Sequence, residues 1–240
     1  MIFTVFSQAR LTDSVYRLTL SGDTSADTRP GQFVQIALPS FYLRRPISVC
    51  DHTADSLTLI YKVVGEGTKA MTALTAGTEL DLLTGLGNGF DVDKCGDSPL
   101  LVGGGVGLPP LYGLCKALLA AGKHPRVIMG FNTAKEVFLQ DEFAALSVPV
   151  TVTTADGSAG VRGFVTDALG GQDFDSACAC GPEPMLKALY NATACDGQYS
   201  FESRMACGFG ACMGCTCKTK YGAKRICKDG PVLLRDEIVW

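Results

Sequence analysis

The chain has 240 residues, 47% hydrophobic and 19% charged, with a formal net charge of −3, which gives a soluble globular class and argues against nucleic acid as a partner. No run reaches the about 18 apolar residues of a membrane span, and the opening M-I-F-T-V-F-S-Q-A-R alternates like a strand where a secretory leader needs a charged flank and an apolar run. Eleven cysteines in such a chain read as thiols and ligands in a reducing cytoplasm, not as a disulfide framework.

Residues 1–95 carry short alternating runs at Ile2–Leu11, Val15–Leu20, Gln32–Leu38, Ile47–Cys50, Ser56–Val63 and Glu79–Leu83, broken by glycine, proline and aspartate. These predict a small antiparallel barrel, interrupted by one helix over Thr68–Leu74. Two stretches inside it suit a diphosphate. In Arg44-Arg45-Pro46-Ile47-Ser48 a rigid proline opens a strand beside a guanidinium, and in Gly65-Glu66-Gly67-Thr68 glycines precede the free N–H groups of a helix start. Either alone also fits a solvated edge or an ordinary turn. Gly85-Leu86-Gly87-Asn88-Gly89-Phe90 reads as a tight turn leading to the next domain.

From Pro99 strands and helices alternate. Strands are expected at Leu100–Gly103, Arg126–Phe131, Val148–Thr153 and Ala177–Cys180, and helices at Leu108–Ala121, Gln140–Leu146, Phe164–Leu169 and Pro184–Ala194. This order predicts a parallel sheet with ligands at the carboxyl ends of its strands. Gly103-Gly104-Gly105-Val106-Gly107 is not G-x-G-x-x-G, since Leu108 and Pro110 follow. It is a glycine-rich strand-to-helix turn, with a second at Cys180-Gly181-Pro182-Glu183-Pro184-Met185. His52 and His124 are far apart and read as ordinary placements. No nucleophile–base arrangement is present, so hydrolysis is unsupported.

The most specific pattern lies at Glu202–Cys227. Cys207, Cys212 and Cys215 stand as C-x4-C-x2-C and Cys227 follows after eleven intervening residues, the plant-type spacing for a [2Fe–2S] cluster. Gly208, Gly210 and Gly214 let the chain fold tightly around a rhomb of two irons. Cys217 makes a fifth thiol for four places and is expected to point away, with a zinc site or unligated thiols as the alternative. Six cations against Glu202 and Asp229 make residues 201–230 locally basic in an acidic chain.

With barrel, α/β unit and cysteine loop in that order, the whole chain resembles the ferredoxin-reductase-like flavoproteins, and within them the electron-transfer subunits of class 1B, NAD-dependent dihydroorotate dehydrogenases. Arg45-Pro46-Ile47-Ser48 resembles the flavin motif R-x-Y-S, with Ile in the tyrosine place, and Gly65–Thr68 the second flavin-phosphate turn. Gly85–Phe90 is similar to G-P-L-G-N-G-F without its proline. Gly103–Gly107 and Cys180–Met185 resemble the nicotinamide signatures G-G-G-x-G and C-G-P-x-x-M, and Glu202–Cys215 with Cys227–Val232 matches the cluster loop.

The resemblance implies an α+β multidomain chain: an FAD-binding barrel over 1–95, an NAD-binding α/β domain over 96–196 and a [2Fe–2S] lobe over 197–240. It implies Arg45, Pro46, Ile47, Ser48, Gly67 and Thr68 at FAD, and Gly103, Gly104, Gly105, Gly107, Cys180, Gly181, Pro182 and Met185 at NAD, with Cys180 near the nicotinamide. Cys207, Cys212, Cys215 and Cys227 would ligate the cluster. The implied role is electron transfer from the FMN of a separate catalytic subunit, through cluster and FAD, to NAD+ in de novo pyrimidine biosynthesis. An α2β2 assembly in the cytoplasm goes with it, the basic cluster lobe facing the partner. A ferredoxin or sulfhydrogenase-type reductase subunit, and a non-enzymatic metal or redox sensor, are the alternatives. After Phe131, Asn132-Thr133-Ala134 offers no arginine for a 2′-phosphate, which favours NAD over NADP.

Overall fold

Alternation in the first third closes a barrel. In the computed structural model, which describes residues 1–240, six strands form it: β1 (Ile2–Arg10), β2 (Val15–Ser21), β3 (Phe33–Ile36), β4 (Arg45–His52), β5 (Ser56–Lys62) and β6 (Glu79–Leu86). They are antiparallel in the order β1-β2-β5-β4-β3-β6, with α1 (Glu66–Met71) between β5 and β6. Phe3, Val5, Leu18, Leu20, Val34, Ile36, Leu57, Leu59 and Leu82 fill the interior. Each such side chain contributes roughly 1.5–3 kcal/mol on full burial. The outer face is not uniformly polar. Cys50 and Ile60 join a second core with the next unit, and Phe33 joins a third that contains Cys215 and Cys227.

β4 begins two residues before the predicted Ile47. Arg45, Pro46, Ile47 and Ser48 pair with β3 only, opposite Ile36, Gln35, Val34 and Phe33, while β5 joins β4 from Val49 onward. Pro46, which has no N–H to donate, therefore sits where the strand has an open side. That opening between β4 and β5 is the mouth of a cavity.

The second unit is built from β7 (Pro99–Gly104), α2 (Leu108–Ala120), β8 (Arg126–Phe131), α3 (Gln140–Ala145), β9 (Val150–Thr154), β10 (Val161–Arg162), β11 (Ser176–Cys180), α4 (Glu183–Ala192) and β12 (Asp196–Ser200). The expected helix over Phe164–Leu169 is only a 3₁₀ turn, Val165–Ala168. Glycines at 163, 170 and 171 leave it too short for an α-helix. After the hairpin β13 (Thr216–Thr219) and β14 (Gly222–Arg225), β15 (Val232–Leu234) returns to this sheet. The strand order is β10-β9-β8-β7-β11-β12-β15, parallel except for β15. The chain runs outward from β7 through β10, then crosses to β11 on the other side of β7. The topological switch point therefore lies at the ends of β7 and β11, at Gly104 and Gly181.

The cysteine segment is thus an excursion between two strands of the nucleotide-side sheet. Neither β12, β15 nor the hairpin was legible in the sequence: each is short, and the two sheet strands find their partners through tertiary packing. The turn Gly85–Phe90 does more than link domains. Asn88 Nδ2 donates to the carbonyls of Val232 at 2.7 Å and Asp229 at 3.3 Å, and its Oδ1 accepts from Val232 N at 3.1 Å, clasping the end of the cysteine segment to the barrel. α2 docks on the barrel through Lys116 Nζ, 2.7 Å from both Asp51 oxygens, and through Gly113, where a Cβ would lie 2.9 Å from the Cys50 carbonyl.

Candidate functional site: two cavities and a cysteine loop

A cavity of about 600 Å³ opens where β4 and β5 part. Arg45, Pro46, Ile47, Ser48, Gly67 and Thr68, all read from sequence as flavin-side residues, line it. Arg45 Nη2 donates to the Leu43 carbonyl at 2.7 Å, and the guanidinium lies 5.0 Å from the centre of the Phe41 ring, but Nε is buried without any partner. Gly67 passes so near that a Cβ there would lie 2.7 Å from Arg45 Cδ. The cation is therefore held against the start of α1, whose first amides have no helical acceptor.

Arg44 plays no such part. It is tied to the Asp81 carboxylate and, through Nη1, to the Asp81 carbonyl at 2.8 Å. The Thr68 hydroxyl is also occupied: it accepts from Val64 N at 2.9 Å and Gly65 N at 3.2 Å and donates to the Gly65 carbonyl at 3.0 Å. It shapes the Gly65–Gly67 turn instead of offering its oxygen to the cavity. A half-buried guanidinium whose Nε is still unpartnered, beside free helix-start amides, fits a dinucleotide phosphate.

A second cavity, about 570 Å³, lies at the switch point and is lined by Gly104, Gly105, Pro182 and Met185. Gly105 has φ +50 and open space at its Cα, and Gly181, at φ +155, runs along the backbone of Gly104. Gly103, Gly107 and Gly181 line neither cavity. Gly103 makes room for Leu108 and Leu111, and Gly107 for the Cys180 carbonyl. They let β7, β11 and α2 close up, which is a packing role. Cys180 belongs to the wall of the first cavity, and burial pushes its thiol up to about 12, so it is a neutral group.

Lys62, Val106 and Glu202 border both cavities, so the two spaces meet at a common wall. Sequence reasoning gave Lys62 no role and Glu202 only a place in a motif, because pieces far apart in the chain build that wall. Glu202 keeps an open surface, yet loss of hydration between the walls holds its carboxyl above the usual value. Glu136 was missed too. It lines the second cavity beyond β8, with Oε2 accepting from Asn132 Nδ2 at 2.9 Å.

Beyond the common wall the chain runs from Ser203 through Met205, still lining the first cavity, into the cysteine loop. Left-handed turns at Gly208, Gly210 and Met213 bring the thiols together as two pairs. Cys212 N points at Cys207 Sγ at 3.4 Å, and Cys227 N at Cys215 Sγ at 3.4 Å. Gly214 N adds a contact to Cys212 Sγ at 3.5 Å. Amides aimed at sulfurs stabilise thiolates. The Cys212 amide first among them lowers Cys207 to about 6, whereas burial and then the neighbouring Cys215 push Cys227 up to about 12. A bound cation would be needed to ionise the second.

Two pairs suit a two-iron rhomb better than a mononuclear zinc site. Cys215 and Cys227 are buried, while Cys212 is exposed beside Phe209 and Met213, both 54% exposed. Cys217, on β13, packs against the apolar core below the loop. Of the six local cations, Lys224 and Arg225 are engaged with Glu237 and Asp229, so the free basic charge is smaller than the composition suggested.

Residues 202–239 match the iron–sulfur cluster binding domain of dihydroorotate dehydrogenase B, and residues 101–190 match the oxidoreductase NAD-binding domain. The chain is 43% identical to the dihydroorotate dehydrogenase B (NAD(+)) electron transfer subunit of Fusobacterium nucleatum, over 98% of this chain and 96% of that one. It is likewise 43% identical to that subunit of Geobacillus thermodenitrificans, over 98% and 97%. Among solved structures it is similar to a chain of an NADH-dependent reduced ferredoxin–NADP oxidoreductase studied for flavin-based electron bifurcation, with a TM-score of 0.91 and 31% identity over 100% of this chain and 90% of that one. A barrel with an open β4 edge, a switch-point cavity beside it and a paired cysteine loop are thus joined to 43% identity over 98% of the chain, and the chain belongs to the family of dihydroorotate dehydrogenase B electron transfer subunits.

Proposed function

We propose that this chain carries electrons between a separate FMN-containing dihydroorotate dehydrogenase subunit and NAD+, with FAD in the β4–β5 cavity, NAD+ in the switch-point cavity and [2Fe–2S] on Cys207, Cys212, Cys215 and Cys227. The observation that carries the reading is the common wall of Lys62, Val106 and Glu202, from which the chain leads within a few residues to Cys207. Bound FAD supplies hydride exchange with nicotinamide and single-electron exchange with a cluster, which neither of those partners does alone. The chain's own residues supply position. Arg45 and the α1 amides hold a diphosphate, Gly105 lets a dinucleotide approach the backbone, and Cys180 fills the wall as an uncharged thiol.

The reading divides the chain into an FAD barrel over 1–95, an NAD unit over 96–196 and a cluster lobe over 197–240, the last clasped to the sheet by β15. The partner brings a further barrel of about 250 residues in an α2β2 assembly, docked at the exposed edge of Cys212, Phe209 and Met213. All eleven cysteines are free, in keeping with a reducing cytoplasm, and no helix is long and apolar enough to cross a membrane.

The test is reconstitution. The purified chain, mixed with the FMN subunit, should couple dihydroorotate oxidation to NAD+ reduction, and an equal rate without this chain would refute the role. The likeness to the ferredoxin–NADP oxidoreductase chain supports a second reading, in which reduced ferredoxin replaces the FMN subunit as donor. Activity with ferredoxin alone would favour it.

Glu136 sets the nucleotide preference in this reading. A carboxylate beyond the second strand of the unit accepts from a ribose 2′-hydroxyl and repels a 2′-phosphate. Glu136→Ala should raise the KM for NAD+ roughly tenfold, the loss of about 1.4 kcal/mol, while NADP+ improves relative to it. Steady-state kinetics with both nucleotides checks this.

A further inference from the structure

β3 turns Val34 and Ile36 into the barrel, and Phe33 and Gln35 to its opposite face. Phe33 lines the first cavity. Gln35 is 0% exposed, and neither its Nε2 nor its Oε1 has a hydrogen-bond partner. Fully buried amides without partners are rare in folded chains, and one here needs an explanation. What covers it is the cysteine loop. Gly208, the residue after Cys207, lies at φ +78 directly against the amide, so that a Cβ there would stand 2.6 Å from Gln35 Cδ and 2.8 Å from Cγ and would overlap Nε2. Any side chain at 208 would displace the glutamine.

We propose that Gln35 is a positioning residue for the iron–sulfur centre, its side-chain N–H donating to a sulfur of the cluster held by the loop. This rests on the cluster assignment above. Thiolate and sulfide sulfurs only accept hydrogen bonds, and an amide is a donor that carries no charge of its own. Donation to cluster sulfur favours the reduced state, in which the sulfurs bear more negative charge, and so raises the reduction potential. One face of β3 then borders both centres, Phe33 at the flavin cavity and Gln35 at the cluster loop.

Pulsed EPR of the reduced holoprotein grown with glutamine labelled with nitrogen-15 in the side-chain amide tests the contact without any substitution. A hyperfine coupling of that nitrogen to the cluster is expected, and its absence in a sample with an intact cluster signal would overturn the proposal. Gln35→Leu should keep the cluster absorbance but lower the reduced-to-oxidised ratio at fixed potential about tenfold, roughly 59 mV for a one-electron couple. Gln35→His, which keeps a ring N–H, should restore most of it. A Gln35→Leu protein titrating with the wild-type potential would overturn the role. Wild-type protein purified with iron but without a [2Fe–2S] signal would instead overturn the cluster assignment on which it stands.

Discussion

Arg45→Ala protein should fold, bind nicotinamide nucleotide and emerge from purification almost free of flavin. The guanidinium is the only cation on the cavity wall with a buried, unpartnered nitrogen, and it is pressed against the start of α1 by Gly67. Hydrogen bonds to a charged group contribute about 1.5–3 kcal/mol each, so losing a phosphate contact made by this group costs about 3 kcal/mol, on the order of a hundredfold in affinity. Arg44 cannot stand in, because its guanidinium is committed to Asp81. Gly67→Val should give a milder form of the same defect, since its Cβ would fall within 3 Å of Arg45 Cδ and Cζ and force the side chain aside. Flavin absorbance per protein, with affinity from FAD titration of the stripped protein, separates these outcomes. Full flavin occupancy in Arg45→Ala would move the phosphate site elsewhere on the wall.

The predicted residues that the fold brings to one cavity are those whose chemistry is local. Arg45-Pro46 and the Gly65–Thr68 turn are within one strand or one turn of the atoms they face, so adjacency in sequence is adjacency in space. The cysteine spacing is legible for the same reason. The common wall was not, because Lys62, Val106 and Glu202 come from a barrel strand, a βα turn and the edge of the cysteine segment, which meet only when the barrel docks on the second unit. Glycine motifs mark places of close approach, but Gly103 and Gly107 accommodate protein atoms. Thr68 shows the converse, a polar residue at the cavity whose hydroxyl is spent on its own turn. Gln35 gave no signal at all, since a glutamine in a β run reads as a solvent-facing position and its burial depends on a loop more than 170 residues away.

Cys212→Ala should abolish the cluster, whereas Cys217→Ala should leave it intact. Cys212 and Cys207 form the outer pair, joined by a backbone amide to sulfur contact, and removing either leaves one iron of a rhomb with a single protein ligand. Cys217 is two residues along β13 from Cys215, hydrogen-bonded into a hairpin with Lys224 opposite, and its side chain lies among apolar neighbours. For it to replace Cys212, the strand would have to unpair and turn over, exposing the core it covers. The functional consequence divides the relay. In Cys212→Ala, NADH oxidation by an artificial acceptor that takes electrons from flavin should continue near the wild-type rate, while NAD+ reduction driven by dihydroorotate and the partner catalytic subunit should fall at least a hundredfold. Iron content, the visible spectrum and the two rates together decide it: a cluster that survives Cys212→Ala but is lost in Cys217→Ala would reassign the fourth ligand.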